Sequence, residues 1–126
     1  MKPLQNTIAL VTGASRGAGR GIAYELGEAG ATVYVTGRSI QGSTTDNRPE
    51  TIEETAAGVT ARGGKGIAVR CDHTDSTDVR RLFDGIKDEH GRIDLLVNSV
   101  FGGSESSLPR AGGRRFWERR RNTGMR

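Results

Sequence analysis

The sequence predicts an α/β fold, a doubly wound parallel sheet whose strands lie in the order 3-2-1-4. Three observations lead there. Four short apolar runs, "TIALVT" (7–12), "ATVYVT" (31–36), "GIAVR" (66–70) and "IDLLVN" (93–98), lack strict polar alternation, as strands covered on both faces do. Between them lie segments whose apolar residues recur at helical intervals. The resulting βαβαβαβ order calls for parallel strands joined by right-handed crossovers.

The first helix follows the first strand and carries Ala18, Ile22, Ala23, Leu26 and Ala29 at helical spacing, with Gly30 placed as its stop. The second is expected to begin at Pro49, a residue favoured at the first helical position, with Ile52, Ala56 and Val59 on one side. The third follows "HTDSTD": Asp75 caps it, Asp78 sits three residues on, and Gly91 ends it. Its apolar side is Val79, Leu82, Phe83 and Ile86. Residues 39–48, "SIQGSTTDNR", read as a polar loop beyond the second strand.

Length and composition bound the rest. A chain of 126 residues suits one small domain. The lone Cys71 has no intramolecular disulfide partner, so a reducing compartment is expected. No apolar run long enough to span a membrane and no signal peptide is visible, and the cytoplasm is the expected location. The net charge of +4 is unevenly placed: residues 110–126 carry seven arginines against one glutamate, which leaves the first 109 residues near −2. The chain therefore divides into residues 1–101, the folded part, and an irregular Arg- and Gly-rich tail, 102–126, in which only Phe116 and Trp117 offer apolar anchors.

Chemistry concentrates in "TGASRGAG", Thr12 to Gly19, at the junction of the first strand and first helix. The first N–H groups of a helix have no intrahelical partner, and with the helix dipole they attract an anion such as phosphate. Gly13 suits the tight turn, Gly17 admits a pyrophosphate to the backbone, and Gly19 lets the helix pack closely. Alone, such a glycine string is also met in plain turns; set between a buried strand and an amphipathic helix, it points to a Rossmann-like dinucleotide site.

"TGASRGAG", followed by "VTGR", "CDHTD" and "LLVNS", resembles the N-terminal half of the short-chain dehydrogenase/reductase family over roughly residues 5–101. The resemblance implies that Gly13, Ser15, Arg16, Gly17, Ala18 and Gly19 surround the cofactor phosphates and ribose. It implies that Asp72 bonds the adenine amino group, with the backbone of His73 beside it. Asn98 matches the first asparagine of the family's fourth-strand segment, whereas Ser99 and Val100 stand where a second Asn and an Ala are usual. A carboxylate at the end of the second strand would favour NAD; here that position offers Arg38, which with Arg16 suits the 2′-phosphate of NADP. NADP is thus the expected cofactor and NAD the alternative.

The family's acid–base group is a tyrosine followed four residues later by a lysine, one helical turn apart. No such pair occurs here: Tyr24 is followed at that distance by Glu28 and Tyr34 by Arg38, and Lys87 is the last lysine. No catalytic residue is therefore assigned. His73 and His90 lack ligand-spaced partners, so no metal site is expected, and His90 is expected in the last turn of its helix. Four strands make a face about 19 Å wide, and one helix covers roughly 10 Å of it, so half of the second face is expected to lack cover.

Two explanations compete for the tail. A deletion or frameshift after about residue 101 would yield arbitrary Arg- and Gly-rich codons, leaving an inactive cofactor-binding portion of an oxidoreductase. Alternatively, "RRFWERRR" serves as a basic arm, and the chain is a non-catalytic dinucleotide-binding module contacting nucleic acid or an acidic partner.

Overall fold

The computed structural model describes residues 2–40, 42 and 49–99. Most of the polar loop and the whole 102–126 tail lie outside the described residues. Seven elements alternate as expected: β1 (Ile8–Thr12), α1 (Gly17–Glu28), β2 (Thr32–Gly37), α2 (Ile52–Ala61), β3 (Lys65–Arg70), α3 (Ser76–His90) and β4 (Leu95–Asn98). The four strands are all parallel and stand in the order β3-β2-β1-β4.

Burial explains the order. Every residue of β1 is buried, as a central strand covered on both faces must be. Side chains alternate across the sheet. Val11, Val33 and Val35 pack with Ala23 of α1 and with Ile52, Ala56 and Val59 of α2. Ile8, Leu10 and Tyr34 pack on the other face with Leu82 and Ile86 of α3 and with Cys71. Burial pushes the Cys71 thiol upward in pKa, which keeps it an inert core group.

Three expectations need correction. The second helix starts at Ile52, not Pro49. Thr51 is its N-cap, and the Thr51 hydroxyl and Glu54 carboxylate each accept a bond from the other's backbone N–H. That reciprocal box satisfies two donors that Pro49 has no means to reach. The buried stripe of α1 is Gly19, Ala23 and Gly27, while Ala18 and Ile22 face solvent. The helices come so close there that a Cβ on Gly27 would stand 2.9 Å from the Val59 carbonyl oxygen. Phe83 is likewise exposed, and only Leu82 and Ile86 of α3 are buried.

The α3 face is bare at β4, as expected of a face covered by one helix, but exposure is not confined to that face. Leu96 pairs with Leu10 and lies on the α3 face, where it is 53% exposed; its neighbour Leu95 points to the opposite face and is 37% exposed. Exposure is therefore concentrated at β4 on both faces, because α1 and α2 lie over β1, β2 and β3. Asp75 caps α3 through the amides of Thr77 and Asp78, and Gly91 ends it with a left-handed φ of 75°, both as expected.

At its start β4 is locked by Asp94. The Asp94 carboxylate accepts from the Ile8 amide at 2.8 Å and from the Arg92 guanidinium, while the Asp94 amide donates to the Ile8 carbonyl. The Ile8 bond, helped by Arg92, holds Asp94 below the ordinary aspartate value of 3.8. A lowered folded-state pKa contributes stability above the unfolded value and loses it as the pH falls through the folded one. The acid limb of the stability curve below pH 3.8 should therefore be shallower in Asp94→Asn than in the parent chain. Equal slopes in pH-resolved thermal unfolding would contradict this role.

Candidate functional site

All the predicted positions gather along one edge of the sheet, at the C-terminal ends of the strands. In an open α/β sheet this edge, where the strand order reverses between β1 and β4, is where ligands bind. Hydrogen bonds run along the edge from strand to strand. The Thr12 hydroxyl donates to Asn98 Oδ1 at 2.9 Å and accepts from the Ser99 amide at 3.0 Å, which joins the ends of β1 and β4. The Ala14 amide donates to the Thr36 carbonyl at 2.9 Å, tying the corner to the end of β2. Thr36 in turn meets His73 Nε2 through its hydroxyl at 2.8 Å, reaching the segment after β3.

The β1–α1 corner has the shape that the glycine pattern calls for. Gly13 and Gly17 both adopt a φ of 62°, in the left-handed region that favours glycine. Around Gly17 an added Cβ would meet nothing within 4 Å, whereas on Gly19 it would run into the Gly13 carbonyl oxygen. Gly17 and Ala18 are exposed and Gly19 is buried. Arg16 occupies the N-cap in an extended conformation and makes no side-chain cap, and the first turn of α1 holds no acidic residue. The other two helices are capped by Thr51 and Asp75. Among the described residues no backbone carbonyl takes up the amides of Gly17 and Ala18.

The remaining positions flank this corner. Ser15 is nearly buried beneath it, and Arg38 follows β2 half-buried. Asp72, after β3, is held below the usual carboxylate range, first by the Thr74 hydroxyl and amide and then by the nearby charges of Arg38 and Arg70. Burial lowers the His73 ring, with Asp72 and Asp78 pulling the other way. Asp78 is engaged elsewhere: its carboxylate accepts from the Asp72 amide and lies 3.7 Å from Arg70.

The two tyrosines lie elsewhere. Tyr34 is buried in β2, its hydroxyl 2.9 Å from His90 Nε2 in the last turn of α3, with the rings edge to face. Burial, then the Glu89 charge, raises its pKa, opposite to what a proton-transferring tyrosine needs. Tyr24 of α1 stacks beneath the Arg62 guanidinium at 3.8 Å. A groove of about 340 Å³ beside Tyr34 and His90 contains none of the predicted site residues.

Thr12 and Thr36 were not anticipated as linkers, nor was Thr55 of α2, whose hydroxyl donates to the Ala14 carbonyl at 2.8 Å. A threonine closing a strand is a faint signal for Thr12 and Thr36; Thr55 leaves none, since it lies 41 residues from its partner. Among the described residues no helix is long and apolar enough to cross a membrane.

A family model described as short chain dehydrogenase matches residues 7–119. The chain is 38% identical over 117 residues to "Dehydrogenase/reductase SDR family member 1" of Mus musculus, an alignment spanning 92% of this chain and 34% of that protein. It thus spans about a third of that relative's length. Its fold matches a metagenomic short-chain oxidoreductase solved in complex with NADP at 33% identity and a TM-score of 0.64, covering 74% of this chain and 38% of the other. It also matches an NADH-dependent reductase complexed with NAD, at 26% identity and a TM-score of 0.61, covering 75% and 36% respectively. The corner, the strand order and a family match that takes in β1 through β4 agree, and the chain belongs to the short-chain dehydrogenase family.

Proposed function

We propose that this chain is the NADP-binding portion of a short-chain oxidoreductase acting between a carbonyl and an alcohol. One observation carries the reading. The β1–α1 corner places a left-handed Gly17 beside open space, directly before the amides of a helix that no side chain caps. A cofactor diphosphate supplies the acceptors that such a corner attracts. In this reading Gly13, Ser15, Arg16, Gly17, Ala18 and Gly19 hold the phosphates and adjoining ribose, Asp72 and the His73 backbone receive the adenine, and Asn98 borders the nicotinamide end. The bound dinucleotide supplies or accepts the hydride.

The choice of NADP rests on charge. The position after β2 carries Arg38 rather than a carboxylate, and Arg16 stands at the helix N-cap. Planar guanidinium groups grip phosphate through paired donors. Arg38→Asp is expected to weaken NADPH binding at least about tenfold, the loss of one charge-assisted contact, while NADH binding changes little or improves. Fluorescence or calorimetric titrations with both cofactors check this; equal losses for the two would contradict a 2′-phosphate role.

Within these 126 residues no Tyr-x-x-x-Lys pair exists, and in this reading the chain by itself binds the cofactor without transferring the proton. The family match runs on to residue 119. That supports residues 102–119 as a continuation of the family's own chain over an out-of-frame tail.

A further inference from the structure

Residue Thr55 is fully buried in the first turns of α2, far in sequence from the corner, yet it sits directly behind it. Its hydroxyl lies 2.8 Å from the Ala14 carbonyl oxygen, 3.4 Å from that of Thr51 and 3.5 Å from that of Ser15. On its other side Arg20 of α1 approaches. Arg20 Nε donates to the Thr55 hydroxyl oxygen at 3.0 Å, while Nη2 donates to the Thr51 carbonyl at 3.1 Å and reaches Glu54 at 3.4 Å.

Arginine has no acceptor, so the Arg20–Thr55 bond runs in one direction only. The Thr55 oxygen accepts, and its single proton is left for a carbonyl, of which Ala14 is nearest. A trans peptide is planar, with its C=O and N–H pointing opposite ways. Fixing the Ala14 carbonyl toward α2 therefore fixes the Ser15 amide away from α2. The same turn of α2 also reaches the end of β2, where the Ile52 amide donates to the Ser39 carbonyl at 2.9 Å. One capped helix start thus holds both the glycine corner and the strand end that carries Arg38.

We propose that Thr55 is a positioning residue for dinucleotide binding: directed by Arg20, its hydroxyl anchors the carbonyl side of the β1–α1 corner so that the corner's amides face the cofactor. This rests on the NADP-binding reading above, and it assigns affinity to a side chain that need not touch the ligand.

The test is a set of NADPH titrations paired with thermal unfolding. Thr55→Val keeps the shape and removes the hydroxyl; it is expected to raise the Kd about tenfold or more, the effect of one misplaced buried hydrogen bond. Thr55→Ser keeps the hydroxyl and is expected to stay within about threefold of the parent, a difference below 1 kcal/mol. Asp94→Ala, at the opposite edge of the sheet, is expected to lower stability without moving the Kd. Should Thr55→Val fail to fold, Arg20→Met decides: a raised Kd supports the proposal and an unchanged one overturns it. A folded Thr55→Val that binds like the parent, or an Asp94→Ala that loses as much affinity, also overturns it. If the parent chain itself binds no NADPH, the NADP-binding reading is what fails.

Discussion

Gly17→Val is expected to abolish useful dinucleotide binding, raising the NADPH Kd at least about a hundredfold, or close to 2.7 kcal/mol, while leaving the sheet folded. A Cβ at this position would meet nothing within 4 Å, so it overfills no core contact. Its φ of 62° is the only local cost, on the order of 1–2 kcal/mol for a side chain in the left-handed region. A domain of ordinary stability survives that. The branched side chain instead fills the space in front of the first amides of α1, where the proposed diphosphate would sit. Titration with NADPH beside a circular-dichroism melt separates the two effects. A folded Gly17→Val that binds like the parent would show that the open corner is only a turn.

Two residues on, the consequence reverses. Gly19→Val is expected to destabilise the fold itself, at a cost of about 3 kcal/mol or more. Its Cβ would run into the Gly13 carbonyl oxygen and stand 3.0 Å from Ala14 Cα. These are backbone atoms, and they have nowhere to go: the Ala14 amide is held by the Thr36 carbonyl and the Ala14 carbonyl by Thr55. For a chain of this size the melting temperature should fall by roughly 12 °C or more. A parental melting temperature in Gly19→Val would mean that the corner is softer than its bonds imply. Neighbouring glycines of one motif thus differ in surroundings: a Cβ on Gly17 would meet open space, and one on Gly19 the backbone of the turn.

Much of this was legible in the sequence because it follows from local chemistry. The four strands, their order and the corner came from apolar runs and glycines whose meaning depends on near neighbours; Asp75 and Gly91 announced the ends of α3 in the same way. What escaped depends on distance or on small residues. Of the apolar series in α1, Ala23 and Leu26 do pack on the core, but the helix makes its closest approach through Gly19 and Gly27, which have no side chain to signal it. Pro49 by itself suggests an earlier start of α2, but "TIEE" carries a Thr–Glu box that satisfies more of the backbone. The bareness of β4 on both faces follows from where α1 and α2 settle over the sheet, and no single segment encodes that. Thr12, Thr36 and Thr55 gain their roles only once strands and helices far apart in sequence are brought together.

The central claim is that the corner's amides receive the cofactor's phosphates, and an amide-resolved NMR titration of the chain with NADPH tests it most directly. The account predicts saturable shifts that are largest from Ser15 to Gly19, with smaller ones at Arg38 and Asp72. Saturation with those corner amides unmoved, while residues elsewhere respond, would contradict it.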